Sequence, residues 1–301
     1  MMLFREEITG WEDWSRVFHS VSSFSSLIEY IVELCHLPSE EPSLLKPGTN
    51  AVFRIGDYVI KIYAPKESGR DQSVDLKTEL FAITRANSTG VLTPKVVSQG
   101  MVRDRYDFHY IIYEFIDAIS FDESLEGLSV DEKIWLGSRI RDICDKLNTP
   151  SENFNDIDIL FDEERQYRWE KYNESFKAER LKYISERVYQ PRVFVHGDLC
   201  SDNILITKSG RIYVIDFADA VLAPILYEHA HIAVELFDFD RYLLQGFFPN
   251  YRASDLVDIC FDGLLIHDFG ADTIEQRIVA TESLFSLDGL KKHISERLVR
   301  G

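Results

Sequence analysis

His196-Gly197-Asp198-Leu199-Cys200-Ser201-Asp202-Asn203-Ile204-Leu205-Ile206, a short polar turn, and then Ile212-Tyr213-Val214-Ile215-Asp216-Phe217 carry most of the chemical information in this chain of 301 residues. Residues 204–206 and 211–215 are apolar runs joined by Thr207-Lys208-Ser209-Gly210. A four-residue turn closing a hairpin there pairs Ile206 with Arg211 and sets Asn203 against Val214. Asp216 then lies two residues beyond, at the same open end, and Asp198 sits in the loop just before the hairpin. With a rise of about 3.3 Å per strand residue, Asn203 and Asp216 are near enough to share a metal ion. Carboxylate and amide oxygens suit Mg2+, which keeps waters and binds through one or two protein carboxylates plus substrate phosphates. Phosphoryl transfer asks for these parts: a metal to neutralise the phosphates and a carboxylate to orient the attacking hydroxyl.

The pattern His-Gly-Asp-Leu-x-x-x-Asn over 196–203, followed by Ile-Asp-Phe over 215–217, resembles the signature of the aminoglycoside phosphotransferase family, relatives of the eukaryotic protein kinases. A protein kinase has Arg where Gly197 stands and Gly where Ala218 stands, so Gly197 points to the small-molecule branch. Tyr227-Glu228-His229-Ala230 resembles the family's stretch after the metal-binding Asp, where many members carry Asp-Leu-Ala. The run 215–237 looks closest to the hygromycin phosphotransferase branch. The resemblance implies an α+β, bilobal protein-kinase-like fold. A small antiparallel-sheet N-lobe over 1–116 binds the nucleotide, and a mainly helical C-lobe over 117–301 carries catalysis and the acceptor. It also implies that Asp198 accepts or orients the acceptor hydroxyl proton, that Asn203 and Asp216 hold Mg2+, and that ATP or GTP is the phosphate donor. His196 then anchors the loop, and Asp202 solvates or caps the turn.

The first half is consistent with that lobe. Leu27, Ile28, Ile31, Leu34 and Cys35 recur at helical spacing, which predicts a helix over 24–35 capped by Ser22 or Ser23. A turn-rich loop at 47–50 precedes strands at 51–55 and 58–63, connected by Gly56-Asp57, a hairpin signal. A helix follows over 72–86, with Leu76, Leu80 and Ile83 on one face. Strands at 95–102 and 106–115 flank the turn Arg103-Asp104-Arg105. A kinase-like nucleotide site needs a strand lysine reaching the phosphates and a helix glutamate tethering it. Lys61, between Ile60 and Ile62, is the candidate lysine, and Glu79 its partner, with Glu67 and Asp75 as competitors. Gly48-Thr49-Asn50 is placed like the loop over the phosphates, although it lacks a full GxGxxG. Tyr113-Glu114-Phe115-Ile116 resembles the hinge whose backbone, at Glu114 and Ile116, holds the base; Tyr113 and Phe115 read as core.

In the second half, Ser129-Val130-Asp131-Glu132 is a capping box ahead of a stripe at Leu136, Ile140, Ile143 and Leu147. Two helices are expected within 161–189, and further ones over 256–268 and 274–298. The formal net charge is −18, a field that repels nucleic acids and anionic membranes and attracts a cation. Acidic stretches at Asp156, Asp158, Asp162, Glu163 and Glu164, and at Glu228, Glu235, Asp238 and Asp240, are candidates to meet a cationic acceptor. Tyr167 and Trp169 are candidates to stack on it. Cys35, Cys144, Cys200 and Cys260 lack metal-ligand spacing and read as reduced thiols. No signal peptide or membrane span is evident, so a cytoplasmic protein is expected. The leading expectation is an Mg-dependent kinase of an aminoglycoside-like small molecule, with antibiotic resistance as a plausible role and no nucleic-acid or membrane partner. Choline-, homoserine-, sugar- or macrolide-like acceptors stay open within the same class. From another class comes a catalytically silent nucleotide-binding module, which the filled catalytic positions disfavour. Acceptor, oligomeric state and the choice between ATP and GTP are not legible.

Overall fold

The structure, a computed structural model, describes residues 2–46 and 48–300. Pro47 of the expected phosphate loop, and Met1 and Gly301 at the ends of the expected lobes, lie outside the described residues. Proximity along the backbone gathers the chain into two compact units. The first holds the residues up to Lys77, Thr93–Ala118 and Thr207–Ser209; the second holds Thr78–Leu92, Ile119–Ile206 and the residues from Gly210 onward.

In the first unit five strands form one antiparallel sheet: β1 (Ser43–Leu44), β2 (Ala51–Ile55), β3 (Tyr58–Ile62), β4 (Val96–Arg103) and β5 (Asp107–Glu114), in the order β1-β2-β3-β5-β4. Period-two alternation shows in β2, where Ala51, Phe53 and Ile55 are buried and Val52 and Arg54 are half-buried. The buried face packs under two helices, α1 (Trp11–Val17) and α2 (Val21–Leu34). Phe4, Trp14, Phe24, Leu27 and Ile31 meet Phe53, Ile60 and Phe108 in one apolar cluster. The ring of Phe24 lies 5.0 Å from Phe4 and 5.4 Å from Phe53. Asp104, in the β4–β5 turn, accepts from the Leu3 and Phe4 amides and ties the N-terminal segment down.

Two expectations need correction here. The helix expected over 24–35 begins at Val21, and Ser20 rather than Ser22 or Ser23 caps it, accepting from the Ser23 amide at 3.3 Å. Several serines in a row each qualify as a cap, and sequence does not choose among them. Helix α1 was not foreseen, because seven residues are too few for a clear period. The expected strands and the helix over 72–86 stand as β2 to β5 and α3 (Ser73–Ser88), with ends moved by one or two residues.

The second unit is mainly helical. After β6 (Ala118–Ser120) come α4 (Phe121–Ser124), α5 (Val130–Leu147), α6 (Glu163–Tyr167) and α7 (Glu174–Ser185). Both members of the Ser129/Glu132 capping box are formed, and the predicted stripe of α5 is buried. Strands β7 (Val193–Val195), β8 (Ile204–Thr207), β9 (Ile212–Val214) and β10 (Val221–Ala223) interrupt the helices as two small sheets, β10-β7 and β6-β8-β9. The chain then continues through α8 (Ile225–His231), a π-helical turn at Ile232–Leu236, α9 (Arg241–Phe247), α10 (Ala253–Ile266), α11 (Gly270–Arg277) and α12 (Leu287–Arg300).

The single helix expected over 274–298 is instead α11 and α12. Residues 278–286 separate them, a run rich in β-branched and hydroxyl residues, which lose rotamer freedom in a helix or bond their own backbone instead. Ser286 restarts the helix by accepting from the Gly289 amide at 3.1 Å. Helices α5 and α9 cross in near backbone contact. A Cβ on Gly137 would lie 2.2 Å from the Leu243 carbonyl oxygen, and one on Gly246 only 2.0 Å from that of Ile134.

Candidate active site

The hairpin β8–β9 has a register one residue different from the expected one. Ile204 faces Val214 and Ile206 faces Ile212, so the turn consumes five residues, Arg211 included. Gly210 takes a positive φ of 76° in that turn. The Ile215 amide donates to the Asn203 carbonyl at 3.0 Å, so Asn203 sits opposite Ile215 instead of Val214. Asp216 is therefore one residue past that pair rather than two, and it adopts the left-handed conformation with φ 58°. Aspartate is among the few non-glycine residues that enter this region readily.

Asp198 is joined to the hairpin directly. The Asn203 side-chain amide donates to the Asp198 carbonyl at 2.8 Å and to its Oδ2 at 2.9 Å. Those two bonds occupy both hydrogens of the Asn203 amide, so Oδ1 is the atom of this side chain that could meet a cation. His196 links the loop to β9: its Nδ1 accepts from the Asp198 amide at 3.2 Å, and its Nε2 lies 3.0 Å from the Ile215 carbonyl, to which it donates. This bonding pattern fixes the ring tautomer. Burial pushes the pKa of His196 down, against the pull of Asp198. Gly197 between them has φ 86°, and a Cβ there would lie 2.1 Å from the Asp219 carbonyl oxygen, so only glycine fits.

Two side chains from further along the chain complete this cluster. His231, at the end of α8, places Nε2 3.3 Å from Asp198 Oδ1. Burial opposes ionisation of Asp198, but the hydrogen bond and electrostatic pull of His231, followed by His196 and the Asn203 amide, hold the carboxyl below its usual range. A quarter of the Asp198 side chain remains open to solvent. Glu228, one helical turn before His231, is almost wholly buried and accepts from the His196 amide at 2.6 Å through Oε2. The Gly197 amide also donates to it. The Asn148 side chain lies within hydrogen-bond reach of it as well. Burial pushes the Glu228 carboxyl up to about 8.

Neither His231 nor the buried role of Glu228 is legible in sequence, because both act on a loop more than 30 residues away. The available signal is three polar residues, Glu228, His229 and His231, inside an otherwise apolar helical run. Glu228 was expected to face the acceptor; its burial under the 196–203 loop excludes that. Three more of the acidic candidates are already paired: Glu235 with Arg277 at 2.8 Å, Asp238 with Arg297 at 2.6 Å and Asp240 with Lys133 at 2.6 Å. Asp162 caps α6. Trp169 is buried with the Arg180 guanidinium 3.7 Å above its ring, so it is a core residue, whereas Tyr167 is exposed.

The other candidates are placed as follows. Lys61 is buried on β3, opposite Val52 and Ile111. Thr49 and Gly48 are exposed in the loop before β2, and Asn50 is buried with Oδ1 unpartnered. The Trp14 indole donates to the Thr49 carbonyl at 2.9 Å. Glu114 ends β5 with its amide bonded to the Lys95 carbonyl, and Ile116 is half-buried two residues on. These six belong to the first unit, whereas Glu79, buried on α3, belongs to the second with Asp198, Asn203 and Asp216. Among the described residues no three His, Cys, Asp or Glu side chains gather to hold a metal. One carboxylate and one amide oxygen, from Asp216 and Asn203, fit a Mg2+ ion that completes its shell with phosphate and water oxygens.

A sequence profile described as a phosphotransferase enzyme family (APH) matches residues 48–257. No curated protein sequence matches the chain. Among solved structures, the chain is similar to the GDP complex of an aminoglycoside 2'-phosphotransferase, with TM-score 0.60, 16% identity and coverage of 91% of this chain and 93% of that one. It is similar to choline kinase LicA from Streptococcus pneumoniae, with TM-score 0.58, 12% identity and coverage of 92% and 99%. It is also similar to the streptomycin–ATP–APH(2")-IIa ternary complex, with TM-score 0.56, 17% identity and coverage of 80% and 87%. At these identities the likeness is one of fold: α+β, bilobal and protein-kinase-like. No described helix is long and apolar enough to cross a membrane.

Proposed function

The chain belongs to the phosphotransferase enzyme family (APH), and from that premise we propose that it moves the γ-phosphoryl group of ATP or GTP onto a hydroxyl of a small cationic acceptor of aminoglycoside type. The observation that carries this reading is the meeting of Asp198, Asn203 and Asp216 at the open end of one hairpin, with the Asp198 carboxyl held below its usual range and partly open to solvent. In the proposed reaction the Asp198 carboxylate takes the proton of the acceptor hydroxyl. The acceptor oxygen bonds to Pγ as the bond from Pγ to the bridging oxygen breaks, and the nucleoside diphosphate leaves with that electron pair. Asn203 and Asp216 would hold Mg2+, whose charge neutralises the phosphates when it is bound. Lys61 would position the phosphates and Glu79 would position Lys61. Gly48, Thr49 and Asn50 would cover the phosphates, and the backbone at Glu114 and Ile116 would hold the base.

A second reading has one observation in its favour. Glu235, Asp238 and Asp240 are spent in ion pairs, so fewer carboxylates are free for a polycation. An amino alcohol with one ammonium, of choline type, needs fewer.

Phosphate transfer from Mg-ATP and Mg-GTP across aminoglycosides, amino alcohols and sugars tests both. We expect transfer to one scaffold, and a loss of turnover of about 10²-fold or more in Asp198→Ala, the scale of a positioned acid–base group. Unchanged turnover in Asp198→Ala removes that residue from the chemistry. Nucleotide binding without transfer to any acceptor favours a silent binding module.

A further inference from the structure

We infer that His231 is a positioning residue that holds the Asp198 carboxylate in its working orientation by donating a hydrogen bond from Nε2 to Oδ1; the inference rests on the phosphotransfer reading above. An ionised carboxylate only accepts, so the 3.3 Å contact is a bond when Nε2 carries the proton. The other ring nitrogen, Nδ1, is buried without a partner. A proton on Nδ1 would leave a buried donor unsatisfied while removing the bond to Asp198, so the packing favours the Nε2–H tautomer on both counts.

The imidazole is held in place from its other side. The ring of His267 stacks on it at 4.4 Å with an interplanar angle of 3°. His267 is itself fixed, its Nδ1 accepting from the Phe269 amide at 3.1 Å and its ring packed 4.1 Å from that of Tyr227. All three rings are buried. Burial, and then the neighbouring His231, Arg165 and Arg168, push the pKa of His267 far down, so an uncharged ring backs the donor. The π-helical turn that follows His231 inserts one extra residue into the helix, a device often found where a helix must aim a side chain.

Oδ2 of Asp198 accepts from the Asn203 amide at 2.9 Å and, more weakly, from the Cys200 thiol at 3.8 Å, whereas the side-chain contact on Oδ1 is that of His231. Donors on both oxygens define the carboxylate plane, whereas those on Oδ2 alone would leave Oδ1 unheld. Proton abstraction depends on that plane, because the acceptor hydroxyl must lie within hydrogen-bond reach of a lone pair.

Two measurements test this. The first, independent of turnover, is the ring 15N shift of His231 in histidine-labelled protein, with Asp198→Ala as comparison. We expect the Nε2–H form, and a resonance that moves when Asp198 is removed. An Nδ1–H form, or shifts indifferent to Asp198, overturns the bond. The second compares His231→Leu with His231→Gln, whose amide nitrogen can stand in for Nε2. Turnover of Mg-ATP with water or a panel hydroxyl as acceptor should fall about tenfold or more in His231→Leu, with the nucleotide KM unchanged. Gln should restore it to within about threefold, and Leu should add no further loss in the Asp198→Ala background. Equal damage by Gln and Leu, or additive losses, reduces His231 to a packing residue. If the wild-type protein transfers phosphate to no acceptor, water included, the phosphotransfer reading and the positioning role fall together, while the ring shifts still decide whether the bond exists.

Discussion

Glu228 is a carboxyl group that the fold buries beneath the 196–203 loop, and that placement makes its proton part of the folded structure. Its ordinary pKa is 4.5, and burial raises the folded value to about 8. Between those values the folded chain keeps a proton that the unfolded chain has released. The stability this confers is intact below the lower value and is lost as pH rises through the upper one. Glu228→Gln keeps an oxygen for the His196 and Gly197 amides and cannot titrate. Its urea midpoint should therefore fall less than that of the wild type as pH rises from about 5 to about 8. Parallel curves would show that Glu228 is ionised in the folded state. At this scale sequence was informative only where the chemistry is local. Asp198, Asn203 and Asp216 fall within 19 consecutive residues in and just before one hairpin, so counting residues was enough to propose them together, although the register differs by one residue. His231 and Glu228 reach the loop through tertiary packing, which leaves no mark in spacing.

Helices α5 and α9 show what element packing demands of single positions. An interior Gly→Ala change usually stabilises a helix by about 0.5–1 kcal/mol. Here the added methyl of Gly137→Ala or Gly246→Ala meets a backbone carbonyl of the facing helix at 2.2 or 2.0 Å, and backbone cannot rotate aside. Each variant should lose about 1–3 kcal/mol, read as a lower melting temperature. An equal or higher one would mean that the two helices do not cross where described. Elements were legible where an explicit local device fixes them. The Ser129/Glu132 box set the start of α5, and buried apolar spacing set its face. Legibility failed where competing local options were equivalent: which serine caps α2, and whether the turn after β8 takes four residues or five. It failed again over 278–286, where apolar spacing continues but the residue types resist a helix.

Across the whole chain, the change from sheet to helices was readable from texture alone, and the family profile agrees with the resemblance carried by the 196–217 motif. Acceptor identity was not readable, because it depends on which carboxylates are left unpaired, and pairing is decided by the fold. Ligand binding to the folded state alone raises its stability, by about 2.7 kcal/mol at a hundredfold excess over Kd. Mg-ATP or Mg-GTP should therefore raise the melting temperature, and EDTA or Asp216→Ala should remove the metal-dependent part. A melting temperature indifferent to nucleotide would sink the nucleotide-site assignment, and one unchanged by Asp216→Ala would sink the metal assignment. The N-terminal layer bears on where the folded unit begins. The profile begins at residue 48, yet Phe4, Trp14, Phe24 and Leu27 cover the face that Phe53, Ile60 and Phe108 present, and Trp14 holds the carbonyl of Thr49. The profile boundary thus falls inside one packed apolar cluster. A fragment cut to residues 48–257 would present a sheet with one bare aromatic face, and its folding would require residues 2–46 beside it.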